Sequence, residues 1–113
     1  MKVLTVRQPW ASLIVAGIKD VENRPWRTRY RGKLGIHAGA RVDEEAMNRY
    51  SHLVEDSIPL GALIGSVVLV GCVQNSRSQW AVKGQWHWLL DQPRQLRQPR
   101  WMSGRLGLWT LGG

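Results

Sequence analysis

The segment Gly17-Ile18-Lys19-Asp20-Val21-Glu22-Asn23-Arg24 is the densest polar cluster of the 113-residue chain. It follows a stretch that predicts a short helix, with Pro9 suited to its first turn, residues 11–16 continuing it and Gly17 as the residue that ends it. If the chain is extended from Lys19 onward, Lys19 and Glu22 lie on opposite faces of a strand. A turn just after Gly17 would instead bring the two side chains together. They would then form either a structural ion pair or an acid–base pair.

Outward from this segment, the hydrophobic pattern predicts an α+β fold of about five or six short strands with two or more helices. A second helix is expected after Asp43, which is a good N-cap and is followed by acidic residues. Glycines inside the strands favour a small, strongly curved barrel. By length we expect one domain over residues 1–113. The predicted strands are residues 3–6, 21–26, 33–38, 62–73, 86–90 and 105–111.

The charge of the chain is strongly positive and unevenly distributed. Sixteen Lys and Arg against eight Asp and Glu give +8, which favours a polyanionic partner, most often nucleic acid. The runs 24–33 and 94–105 contain cations and aromatic residues but no acid, whereas five acids fall within residues 43–56. This pattern predicts basic loops on a phosphate-facing side and an acidic helix on the other. The alternative is that both basic runs are simply solvated loops.

Absent motifs exclude several classes of function. Cys72 is the one cysteine, so the chain has neither an internal disulfide framework nor a cysteine zinc cluster. It contains no glycine-rich phosphate loop and no Gly-x-Ser-x-Gly elbow. The histidines are scattered, so we predict no metal and no cofactor. No apolar run is long enough to cross a bilayer and the start is unlike a signal peptide. We therefore expect a cytoplasmic protein without a membrane partner.

The pattern Gly17-x-Lys19-x-x-Glu22-x-Arg24 resembles the GxKxxExR signature of the ASCH domain, a branch of the PUA-like superfamily. The resemblance implies a small PUA-like β-barrel with a cleft beside the first helix and the signature segment. In the family this cleft receives RNA or a single nucleobase. Flanking segments in the same order extend the resemblance from Val3 to Leu111, namely residues 7–10, 29–38, 88–91 and 104–109.

Carried over to this chain, the resemblance implies that Lys19, Glu22 and Arg24 line the cleft, opposite the loop from Arg7 to Trp10. One tryptophan would be the platform on which a base stacks, and Glu22 would accept a hydrogen bond from an exocyclic amine such as that of cytosine. Trp10 or Trp26 would be this platform, and Arg24, Arg27 and Arg29 would hold phosphates. The residues expected to bind nucleic acid are Arg7, Gln8, Pro9, Trp10, Lys19, Glu22, Arg24, Trp26, Arg27, Arg29, Arg31 and His37.

The sequence leaves open whether the chain is an enzyme. Some ASCH members resemble amidohydrolases that deacylate modified cytidine with the signature lysine, a threonine three residues later and a glutamate on a later strand. Here Lys19 is present, but Glu22 takes the threonine position and residues 62–73 contain no acid. Other members are similar to metal-assisted ribonucleases. For either kind of hydrolase, Lys19 and Glu22 are the candidate catalytic pair.

A third interpretation is a protein-interaction module, since the family is named after a transcription coactivator. Trp101 with Arg97 and Arg100 would then form the binding rim. The favoured interpretation is binding of RNA or another single-stranded nucleic acid, or of a nucleoside, through the basic cleft. The sequence specifies neither the preferred base nor the oligomeric state.

Overall fold

A six-stranded mixed sheet organises the computed structural model, which describes residues 1–112. The strand order is β2-β5-β4-β3-β1-β6; β1 and β3 are parallel, and the other neighbours are antiparallel. Two α-helices and one 3₁₀ turn (Ser51–Leu53) connect the strands, which confirms the α+β class. The strands are β1 (Lys2–Gln8), β2 (Val21–Arg24), β3 (Gly32–Val42), β4 (Ala62–Val73), β5 (Trp86–Trp101) and β6 (Leu108–Thr110); the helices are α1 (Trp10–Val15) and α2 (Glu44–Tyr50).

Local sequence explains where α1 ends and where α2 begins. Gly17, just beyond α1, has φ of +80°, a conformation that glycine adopts without steric cost. The Asp43 side chain accepts a hydrogen bond of 3.0 Å from the backbone N–H of Ala46 and so caps α2. Glu44 and Glu45 occupy the first turn of α2, where the helix dipole favours negative charge. Both predicted termini are therefore present.

The hydrophobic core lies between α1 and one face of the sheet. Ile14 of α1, Leu34 of β3 and Leu69 of β4 are buried in it together with Trp88, which is completely inaccessible to solvent. A smaller cluster of Val3, Leu63 and Trp109 lies apart from this core. The main core fixes α1, and α1 in turn fixes the start of the polar segment that follows it.

The sheet curls but its described residues do not form a closed ring of strand pairs. β2 and β6 are its two edges, so the barrel expected from the sequence is not confirmed. The gap is bridged by a side chain: Arg24 on β2 donates from Nη2 to the carbonyl oxygen of Thr5 on β1, at 2.8 Å. This carbonyl is accessible because β6 pairs only with residues Lys2 to Leu4 of β1. The opening between β2 and β1 is where the cleft described below lies.

β5 is much longer than the predicted strand 86–90, so the basic run that begins at Arg94 is largely strand and not loop. Pro93 and Pro99 lie inside β5, in stretches where its pairing with β4 shifts register. Proline is tolerated at such bulges and on strand edges, and β2 pairs only with the first part of β5, Trp86 to Leu89. In contrast, β6 is shorter than the predicted strand 105–111.

Gly65 allows β5 to cross close to β4. A β-carbon at this position would collide with the carbonyl oxygen of Arg94 and would lie 2.7 Å from a methyl carbon of Val15. Because a backbone carbonyl cannot move aside as a side chain can, we expect Gly65→Ala to lower the free energy of unfolding by about 1–2 kcal/mol. Urea denaturation measures this change. Gly71→Ala is the control on the same strand, because the atom nearest to the added carbon is there a methyl carbon of the Leu89 side chain, at 3.0 Å, and not backbone. An equal or smaller loss at Gly65 would contradict the expectation.

Candidate functional site

A cleft of about 1480 Å³ occupies the opening between β2 and β1. Its walls come from the middle of β1, from β2, from residues 79–82 before β5, and from the segment 101–107 between β5 and β6. The end of α2 completes it with Arg49 and Tyr50. Elements from both halves of the chain therefore meet at the segment that the sequence singled out.

Lys19, Glu22 and Arg24 form a hydrogen-bonded chain of charges at the base of this cleft. The Lys19 ammonium donates to Glu22 Oε1 at 3.1 Å and also to the carbonyl oxygen of Val21. Glu22 Oε2 accepts from Arg24 Nε at 3.1 Å and from Nη2 at 2.9 Å. Lys19 and Glu22 are only 4% and 7% exposed, so this is a buried network.

The backbone places Lys19 beside Glu22 because the chain turns after α1. The N–H groups of Ile18 and Lys19 both donate to the carbonyl of Leu13 at 3.0 Å, so Lys19 stays against the helix before β2 begins. Glu22 and Arg24 then share one face of β2, as alternation along a strand requires. Of the two arrangements that the sequence allowed, the structure has the turn.

The electrostatic character of the cleft is positive. Six cationic residues and one carboxylate, that of Glu22, line it. Glu22 also makes both of the ion pairs found within residues 1–112. Four exposed arginines around the rim consequently have no carboxylate partner there, namely Arg7, Arg41, Arg49 and Arg105. Such a concave, one-signed surface raises the local concentration of anions.

Three aromatic rings pack against one another beside the charged base. Trp80 lies 6.3 Å from Trp10 and 5.2 Å from Tyr50 between ring centroids, and Trp10 and Tyr50 are 5.6 Å apart. The Lys19 ammonium is 5.4 Å from the Trp10 ring centroid, within cation–π range. All three rings are partly accessible and line the cleft.

Asn23, between Glu22 and Arg24, holds the loop that carries Trp80. Its Nδ2 donates to the carbonyl of Trp80 at 2.9 Å, and its Oδ1 accepts from the N–H of Val82 at 2.8 Å. One face of β2 therefore carries the charged side chains at the bottom of the cleft, and its other face holds the loop of Trp80. Sequence reasoning missed Trp80, Tyr50 and Arg49, because their approach to Trp10 is set by tertiary contacts that leave no local signal.

His37 forms part of the cleft wall and has a partner for each ring nitrogen. Nε2 lies 2.7 Å from the carbonyl of Met102, and Nδ1 lies 3.3 Å from Thr5 Oγ1. Trp109 Nε1 donates to the same Thr5 hydroxyl at 3.1 Å. A carbonyl oxygen only accepts, so we assign the proton of His37 to Nε2, which leaves Nδ1 to accept from the Thr5 hydroxyl. His37 is 1% exposed and fully hydrogen-bonded, which fits a structural wall.

Of the other residues expected at the site, Arg7 lies on the rim of the cleft, but Gln8 and Pro9 are buried beneath it. The Gln8 amide binds the N–H of Ser12 at 2.9 Å and the carbonyl of Pro59 at 3.0 Å. These bonds tie the start of α1 to the residues before β4. Gln8 and Pro9 therefore shape the loop that presents Arg7 and Trp10.

The remaining expected residues, from the connection between β2 and β3, do not line the cleft. Trp26 packs edge-on against Trp88 at 4.8 Å, and its carbonyl accepts from the Trp88 indole at 3.2 Å. The other three side chains are exposed elsewhere, namely Arg27, Arg29 and Arg31. The acidic first turn of α2 also lies outside the cleft, although its basic last turn contributes Arg49.

Within residues 1–112, no three His, Cys, Asp or Glu side chains are grouped so that they could hold a metal ion. His52 and His87 lie outside the cleft. None of the helices in that range has the length and apolar character needed to span a bilayer.

The ASCH domain model matches residues 4–99 of the chain. The Activating signal cointegrator 1 proteins of Homo sapiens and Mus musculus are 41% identical over 85 residues and 36% identical over 87. These alignments cover 66% and 67% of this chain but 15% of each relative. The chain therefore spans only about a seventh of those proteins.

A crystal structure of a mutant ZmASCH protein from Zymomonas mobilis has a similar fold. The superposition has a TM-score of 0.56 with 19% sequence identity, and it covers 87% of this chain and 73% of that one. At this level of identity the likeness concerns the fold alone.

Proposed function

Because the chain belongs to the ASCH domain family, we propose that it binds single-stranded RNA and holds one unstacked nucleotide in the cleft around Lys19, Glu22 and Arg24. ASCH is a PUA-like domain family associated with RNA binding. The observation that carries the proposal is the composition of the cleft, where six cations and one carboxylate stand beside three aromatic rings. Cationic grooves with aromatic platforms are the usual means of binding single strands.

The base of the cleft has the hydrogen-bonding pattern to recognise an amino base. A carboxylate offers about four acceptor sites, and Lys19 and Arg24 fill three of those on Glu22. One acceptor site therefore stays open, on Oε1. This acceptor complements an exocyclic amine, such as that of cytosine. We therefore expect cytosine to be preferred over uracil, which lacks the amine.

The rim arginines would hold the flanking phosphates. If the four of them each contact one phosphate, they should contribute about −3 to the slope of the logarithm of the association constant for a 12-nucleotide RNA against the logarithm of salt concentration. Fluorescence anisotropy at 50 to 200 mM NaCl measures this slope. Absence of binding at 50 mM NaCl would contradict the proposed function.

Substitution of one arginine on the cleft rim and of one on the basic connection between β2 and β3 tests which of these two surfaces binds RNA. Arg49 is exposed on the cleft rim, whereas Arg29 is exposed outside the cleft. We expect Arg49→Gln to weaken binding of every RNA sequence several-fold and to reduce the salt slope by about 0.7. Arg29→Gln, the matched control with the same change in charge, should have little effect in the same titration. The reverse ranking would place the phosphate path on the β2–β3 connection.

The direct contact between Lys19 and Glu22 supports a second candidate, a hydrolase acting on RNA or on acylated cytidine. In this alternative the pair supplies the acid and base of the reaction. The test is incubation with single-stranded RNA and with acylated cytidine, followed by mass spectrometry. Product that exceeds the amount formed by the Lys19→Ala variant would support hydrolysis. Equal amounts of product would rule out the hydrolase.

A further inference from the structure

A second depression, of about 540 Å³, is lined by residues of β3, β4 and β5 and by Met1. We propose that this second groove binds the phosphodiester backbone of the same strand whose nucleotide occupies the cleft. The inference rests on the proposed function and deepens it: the partner becomes a polynucleotide that spans two sites, and not a free nucleoside.

The second groove, like the cleft, is predominantly positive in charge. Lys33, Arg94 and Arg100 line it, and its lining contains no acidic residue. None of the three makes an ion pair within the described chain, and all three side chains are exposed. The hydroxyl of Ser66 and the amide of Gln95 add neutral hydrogen-bonding groups. Cations without carboxylate partners beside neutral donors are suited to phosphate oxygens and carry no preference for a base.

The irregular pairing of β5 creates this cluster. Arg94 is paired with Ser66, and Arg100 with Leu63, so residues six apart on β5 face residues three apart on β4. The extra residues bulge outward between them. As a result the two arginines stand about 10 Å apart along β4, at a rise of about 3.3 Å per residue. Lys33 on β3 completes the groove from the other side of β4.

The groove and the cleft are neighbours. Leu63 lines the groove and packs with Trp109, and the Trp109 ring meets His37 of the cleft wall at 5.8 Å between centroids. One small apolar cluster therefore separates the two. Trp101, adjacent to Arg100, lines the cleft and is 68% exposed. Its exposed ring would provide a stacking surface for a base between the two sites.

A pair of matched double variants tests the second groove. Lys33→Gln/Arg94→Gln removes two cations from the groove, and Arg27→Gln/Arg29→Gln removes two exposed cations that line neither site. For the groove variant we expect unchanged affinity for cytidine monophosphate by calorimetry. Its affinity for a 12-nucleotide RNA at 150 mM NaCl should fall about tenfold, with a salt slope shallower by about 1.4. The control variant should match the unmodified protein in both measurements.

The outcomes separate the two proposals. If the groove variant binds the 12-nucleotide RNA with unchanged affinity and slope, the proposal that the second groove binds RNA is wrong, and the proposal for the cleft is unaffected. A 12-nucleotide RNA that binds no more tightly than a dinucleotide would overturn the second groove in the same way. If the unmodified protein binds neither the mononucleotide nor the RNA, the proposed function fails and the groove fails with it.

Discussion

Replacement of Glu22 by alanine is expected to lower the free energy of unfolding by about 3 kcal/mol. The change leaves the buried Lys19 ammonium without a counter-charge and removes the acceptor of two Arg24 hydrogen bonds. Breaking a buried pair from one side costs about 3–5 kcal/mol, and we expect the lower end because the Arg24 side chain is 21% exposed. Urea denaturation followed by tryptophan fluorescence measures the loss.

A double variant shows whether the loss of unfolding free energy arises from the Lys19 charge that Glu22→Ala leaves unpaired. In Lys19→Met/Glu22→Met both buried charges are absent, so the unfolding free energy should be reduced by less than in Glu22→Ala alone. Arg24 keeps its hydrogen bond to the Thr5 carbonyl in both variants. A loss below about 1 kcal/mol for Glu22→Ala, as at an exposed ion pair, would contradict the buried network.

Replacement of Trp80 by alanine is expected to weaken binding of a short single-stranded RNA about ten- to a hundredfold, since a base–aromatic stack contributes about 1–3 kcal/mol. The fold should persist, because Asn23 holds this loop through the backbone atoms of Trp80 and Val82 and not through the indole. Anisotropy titration gives the affinity, and thermal unfolding of the same sample shows that the loop is retained.

The control for stacking is Trp80→Phe, which keeps an aromatic face at the same position. We expect it to recover most of the affinity lost in the alanine variant. Equal affinities for the alanine, phenylalanine and unmodified proteins would show that Trp80 contacts no base, and the stacking surface would then have to be sought at Trp10 or Tyr50.

Local chemistry made much of the fold predictable from sequence. A continuous apolar run marked β4 over residues 62–73, and the strand has the same bounds. Asp43 and Gly17 marked helix ends because capping and positive φ depend on neighbouring residues only. The full length of β5 could not be predicted in this way, because its prolines are tolerated only through bulges that pairing with β4 creates.

The candidate site was predictable where it is encoded in one segment and not where it is assembled from several. Lys19, Glu22 and Arg24 lie within six residues, so their proximity was one of two possible arrangements. Trp80 reaches Trp10 only because Asn23 secures a loop that follows β4. Trp26 is flanked by arginines, as a tryptophan that binds nucleic acid often is. It nevertheless lies outside the cleft, because it packs against the buried ring of Trp88. Charge next to an aromatic residue does not by itself indicate which surface of the domain it will occupy.

A chemical-shift titration of ¹⁵N-labelled protein with cytidine monophosphate at 50 mM NaCl tests most directly whether the cleft binds a nucleotide. We expect the indole signals of Trp10 and Trp80 and the amide signals of residues 19–24 to move together along one saturable curve. Signals from residues 27–31 should stay in place, and uridine monophosphate should produce weaker changes. Shifts confined to residues outside the cleft, or no shift at millimolar nucleotide, would show that the cleft does not bind a nucleotide.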